Sequence, residues 1–131
     1  MMDKKEHVDY WVKQAQDDWI TVEALFKAKR YIHSLFFAHL VLEKLCKAQW
    51  IKDNDDNYPP KHHNLVYILS KTKLKISIEN SDFLLMFNTF QLEGRYPDYK
   101  QNIAEKLNKN KTSEILFKVN EIKTWLINRL Q

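Results

Sequence analysis

One glycine, Gly94, stands in 131 residues, beside three prolines and a single cysteine. Glycine supplies the backbone freedom that phosphate-cradling loops and primed hairpin turns need. Its scarcity excludes a Walker loop, a dinucleotide fingerprint and a turn-rich β-sandwich. The same lack of helix breakers favours long helices. With Cys46 alone, no intrachain disulfide forms, and a zinc site needs carboxylates or distant histidines. Long apolar runs are missing as well. The greasiest stretch, 35–42, contains His39 and runs into Glu43 and Lys44, which is too short and too charged to span a bilayer. Residues 1–9 are charged and lack the apolar core of a signal peptide. The expectation is a cytoplasmic chain without a membrane partner.

What is present is an ordinary globular mixture, 44% hydrophobic and 29% charged. The length suits one domain over 1–131. Lysine and arginine total 21 against 17 acidic residues, for a net charge of +4. That balance permits a nucleic-acid or nucleotide partner without demonstrating one. Lys71, Lys73, Lys75, Lys106, Lys109 and Lys111 form either a basic rim or a solvated surface.

Apolar periodicity predicts helices. Val8, Val12, Ala15, Trp19, Val22 and Phe26 recur at steps of three and four, giving a helix over 7–29. A second helix over 32–52 is apolar on nearly every side, the pattern of a central, buried helix. The segment 53–57 breaks it, and Pro59-Pro60 imposes an extended connection. A short helix fits 62–71. Residues 71–78 alternate apolar and polar like a strand, but a lone strand has no partner, so an extended connection is expected. A fourth helix fits 79–95, ended by Pro97, with Phe83, Met86, Phe87, Phe90 and Gly94 on its core face. A weakly helical piece lies around 103–107. The last helix fits 113–129, with Thr112 as N-cap and Ile115, Val119, Ile122, Leu126 and Leu130 as its buried stripe. The fold class is therefore all-α, an antiparallel bundle of four to five helices.

The polar residues give fewer choices. His39, Glu43 and Lys47 lie four apart on the central helix, so neighbours touch. They form either an intrahelical Glu43–Lys47 pair at the bundle surface or one wall of a polar cleft. On the fourth helix Asn88, Gln91 and Arg95 make a separate polar stripe. Arg95 suits a bidentate phosphate contact, but also a cation at a helix C-terminus or a partner for Glu43. Tyr96 and Tyr99 stack on a base or cap the bundle. His62 and His63 point too far apart to ligate one metal together. The acidic segment 53–57 lacks the glycine and final glutamate of a calcium loop. No metal and no cofactor is expected. Trp11 and Trp125 are the candidate exposed aromatics for a dimer interface.

Three segments together resemble the HEPN domain family, named for higher eukaryotes and prokaryotes nucleotide-binding. The central helix resembles the family's glutamate–lysine helix at Glu43-Lys44 and Lys47-Ala48. His63-Asn64-Leu65 resembles its His-Asp-Leu element. Arg95-Tyr96-Pro97-Asp98 resembles its Arg-Tyr-Pro-Asp signature. Ala15, Asp18 and Trp19 fit the first helix more loosely. The resemblance runs from about residue 7 to 128. It implies a bundle of about five helices, a homodimer, and nucleotide binding by Arg95, His63 and Glu43, with Tyr96 or Tyr99 against the base and Asn88 and Gln91 beside them. It also implies a separately encoded minimal nucleotidyltransferase as partner, in a toxin–antitoxin-like pair. Some branches of the family are metal-independent endoribonucleases using an arginine and a histidine shortly after it. Residues 96–102 hold no histidine, so Arg95 and His63, or His39, form the catalytic alternative. A purely structural helical adaptor is the remaining alternative.

Overall fold

The structure is a computed structural model that describes residues 2–91 and 106–131. The expectations for Gly94, Arg95, Tyr96 and Tyr99, and most of the piece around 103–107, lie outside the described residues. Helix α1 spans Lys4–Lys27. Asp3 caps it, its side chain accepting from the Glu6 N–H at 2.8 Å. Helix α2 spans Tyr31–Asp53 and buries twelve residues distributed around its whole circumference. It packs along α1, against α3 (Leu65–Ser70) and against α5 (Lys109–Leu130); α4 (Ile78–Phe87) lies on α3. A further helical stretch begins at 89–91. There is no strand among the described residues. The chain is an all-α bundle built around α2.

The core follows the apolar stripes. Val8, Ala15 and Val22 of α1 and Ile115, Val119, Ile122 and Leu126 of α5 are buried against Leu35, Ala38, Leu42 and Leu45 of α2. Cys46 is fully buried, and burial pushes its thiol well above its usual range, which makes it a core residue and not a nucleophile. Leu74 and Ile76 lean onto the core from the extended 71–77 connection, so its alternation reflects one-sided packing without a ladder. Lys71, Lys73 and Lys75 on its other side are exposed, as are Lys106, Lys109 and Lys111. Among the described residues no helix is long and apolar enough to cross a membrane.

Four local expectations are corrected. The helix expected over 79–95 is α4, which ends at Phe87; Asn88 keeps helical backbone and donates its N–H to the Leu84 carbonyl at 3.0 Å, and a helical stretch follows at 89–91. Met86, expected in the core, is 45% exposed, since the packing face centres on Leu84, Phe87 and Phe90 and Met86 lies about 100° away from it around the helix. Thr112 does not cap the last helix. Asn108 does, accepting from the Lys111 N–H at 2.7 Å, and Thr112 is buried within the helix. Trp11 and Trp125 are only half-buried surface residues, each packed on a core cluster.

Glycine scarcity has a visible consequence at the end of α1. The Lys29 N–H donates to the Phe26 carbonyl at 3.0 Å and the Arg30 N–H to the Leu25 carbonyl at 2.9 Å. That is a Schellman closure, which needs a left-handed residue. Lys29 fills the position at φ 62°, where a side chain is sterically penalised. Lys29→Gly is expected to raise unfolding stability by about 1 kcal/mol, read as a shift in the urea midpoint; an unchanged or lower midpoint contradicts a strained lysine.

Candidate functional site

The site grows from one carboxylate. Glu43 sits mid-way along α2 on the side facing the 54–64 connection and is 5% exposed. A buried carboxylate demands partners. One turn on, Lys47 donates from Nζ to Glu43 Oε2 at 3.1 Å. Across the connection, His63 Nδ1 lies 2.9 Å from Glu43 Oε1. A carboxylate only accepts, so His63 carries its proton on Nδ1 there. Its Nε2 has no partner among the described residues, and half of the side chain faces solvent. The result is a carboxylate-oriented imidazole with an open outer nitrogen.

Behind this pair lies a second chain of polar contacts. Asn64 caps α3, its Oδ1 accepting from the Tyr67 N–H at 3.2 Å and from Asn88 Nδ2 at 2.9 Å. Asn88 Oδ1 in turn accepts from the Leu65 N–H at 3.1 Å. The same oxygen lies 3.0 Å from His39 Nε2, which must therefore be the donor. His39 Nδ1 is left as an acceptor, buried and without a partner among the described residues, 3.9 Å from Glu43 Oε1. Burial dominates His39 and lowers its pKa from 6.5, with the Asn88 bond and the Glu43 charge opposing it less strongly. Asn88 thus joins α2, the start of α3 and the end of α4.

The rim of the site is cationic and aromatic. Lys47 lies 5.9 Å above the Trp11 ring. His62 stacks on Tyr67 at 4.3 Å between centroids, and its Nδ1 accepts from the Asn64 N–H at 3.2 Å. Among the described residues no group of three histidines, cysteines or acidic side chains is arranged to hold a metal ion.

Of the residues expected at the site, Glu43, His63 and Asn88 come together. Gln91 is near in sequence only; its backbone N–H donates to the Asn88 carbonyl at 3.3 Å, and its side chain takes no part in the cluster. Arg95, Tyr96 and Tyr99 lie outside the described residues. The surface reading of the Glu43–Lys47 pair is corrected: the pair is intrahelical, but the carboxylate is buried because His63 closes over it. His39 and Lys47, expected with Glu43 on one stripe of the central helix, belong to the network, and Asn64 joins it without having been singled out as a site residue. The four-residue spacing on α2 marked the first two; nothing local marked the role of Asn64 as cap and bridge at once.

This architecture, an all-α bundle carrying a buried carboxylate and an outward imidazole, agrees with the comparison to known families. A model described as HEPN domain matches residues 8–130, and the chain belongs to the HEPN domain family. No curated protein and no solved structure matches the chain. Membership supports a nucleotide-binding or ribonuclease-type module.

The neutral His39 predicts a pH signature. The unfolded imidazole binds a proton near 6.5, the folded one only at lower pH. Between those values the unfolded chain holds more protons, so stability present above about pH 6.5 is lost as pH falls. His39→Gln, which keeps a donor for Asn88, is expected to flatten this slope in urea melts between pH 7 and pH 5. An identical slope in the variant excludes His39 as its source.

Proposed function

We propose that the chain is a nucleotide-binding HEPN module. Phosphate meets Arg95 and the outer nitrogen of His63, while Glu43 orients His63 and Lys47 holds the second carboxylate oxygen. The observation that carries this reading is the saturated Glu43 carboxylate. Both its oxygens are occupied, and with Nδ1–H held by the carboxylate a doubly protonated His63 offers its Nε2–H to an anion. In this reading Tyr96 or Tyr99 flanks the bound ligand. The module acts as a homodimer beside a separately encoded minimal nucleotidyltransferase, in a toxin–antitoxin-like pair in the cytoplasm. Family membership and the Arg95-Tyr96-Pro97-Asp98 signature support these elements. Arg95→Ala is expected to abolish binding of nucleoside monophosphates in calorimetry while leaving the thermal melt unchanged. Retained affinity removes Arg95 from the site.

One observation favours a second reading, a metal-independent endoribonuclease. A histidine whose Nδ1 is held by a carboxylate and whose Nε2 is open has the arrangement of a general base. His63 takes the place of the histidine missing after Arg95. The nucleotide-binding reading predicts no cleavage of a mixed RNA pool in EDTA. Cleavage that disappears in both His63→Gln and Glu43→Gln replaces it with the ribonuclease reading.

A further inference from the structure

We propose that the groove between the 54–60 turn and α3 receives the guanine base of a nucleotide whose phosphate meets His63; the proposal rests on the nucleotide-binding reading above and adds the base-recognition half of that site. The groove holds about 420 Å³ and is lined by Trp50, Asn54, Asp56, Tyr58, Tyr67 and Lys71, with Pro60 at its edge. It is a shallow depression, open to solvent on one side.

Its walls are aromatic and its edges carry paired hydrogen-bonding groups. Tyr58 is 80% exposed, and its backbone N–H donates to Asp56 Oδ1 at 3.0 Å, so the turn presents the ring to solvent and does not pack it. Trp50 is half-buried beside it. The Asn54 amide NH2 donates to the carbonyls of Trp50 at 2.8 Å and Lys71 at 3.0 Å, which leaves its oxygen as an acceptor. The second oxygen of Asp56 has no partner among the described residues. Lys71 places its ammonium 5.7 Å from the Tyr67 ring centre and meets no carboxylate among those residues. Acceptors thus stand near one cation. Guanine presents the complement, with O6 and N7 as acceptors beside N1–H and the 2-amino group as donors; adenine offers an amino group where the cation needs an acceptor.

The groove also points the right way. Glu43, Lys47 and Trp50 follow one another at steps of four and three on one face of α2, and Asn54, its C-cap, follows four residues on. Lys47 and Asn54 are separated by about 10 Å along the helix, within the reach of one nucleotide. Lys47 and His63 mark the anion-tolerant end. Asp55 and Asp56 at the other end repel phosphate and accept base donors.

The test titrates the full chain with GMP, AMP and ribose 5-phosphate by calorimetry. Tyr58→Ala is expected to weaken GMP about ten-fold and to leave ribose 5-phosphate unchanged, while Tyr58→Phe behaves as the parent. Asp56→Asn is expected to erase a preference for GMP over AMP. His63→Gln is expected to weaken all three ligands. GMP binding no tighter than ribose 5-phosphate, or unaffected by Tyr58→Ala, overturns the groove and leaves the phosphate reading standing. Equal affinity of the parent for GMP and AMP overturns the guanine assignment. Failure of all three ligands to bind overturns both readings.

Discussion

The Glu43 carboxylate is the constraint from which the rest of the site follows. A carboxylate almost out of water carries a desolvation cost that only close cationic or hydrogen-bonding partners offset. Lys47 comes from the same helix and is available as soon as α2 forms. His63 comes from twenty residues away and must be brought in by the 54–64 connection. Pairing therefore fixes that connection against α2, and Asn64, next in sequence, starts α3 where the pairing leaves it. Breaking a buried pair by deleting one partner costs about 3–5 kcal/mol in typical proteins, which is a large share of a domain's stability.

The second chain extends the same constraint. His39 lies one turn before Glu43, too buried to hold a charge easily, and gives its one proton to Asn88. Asn88 has both lone pairs of its amide oxygen engaged by His39 and Leu65 and donates one amide N–H to Asn64. An asparagine so engaged sits at the point where α4 stops. The start of α3 and the proton-donating Nε2 of His39 are two aspects of one polar network. Such networks rigidify a core when every member is satisfied. Here one atom is not, the buried Nδ1 of His39, and it faces the very oxygen that orients His63.

Much of the bundle was legible because helical periodicity reports burial directly. The stripes of α1 and α5 sit on the core as their spacing requires, and the all-round apolar α2 is central. Where the reading fell short, the reason was a long-range pairing in one case and a competing local cap in another. The 79–95 pattern is a good helix by periodicity, and nothing within it announces that Asn88 will be drawn to His39 and Leu65. Thr112 is a respectable N-cap by type, yet Asn108 captures the free N–H of Lys111 first and the helix begins earlier. Lys29 shows the reverse case: the shortage of glycine was plain, while the lysine that would take the left-handed turn was not.

By itself the sequence determined the class of fold, the central position of α2 and the residues that carry the family resemblance, because these depend on composition, local spacing and short motifs. It also placed His39, Glu43 and Lys47 on one helix face, since that follows from 3.6 residues per turn. Only the tertiary structure decided that His63 pairs with Glu43, that burial lowers the pKa of His39 and that half of the His63 side chain stays exposed. Those outcomes depend on desolvation and on hydrogen bonds between residues twenty or more apart, and such pairings exist only once the helices are packed.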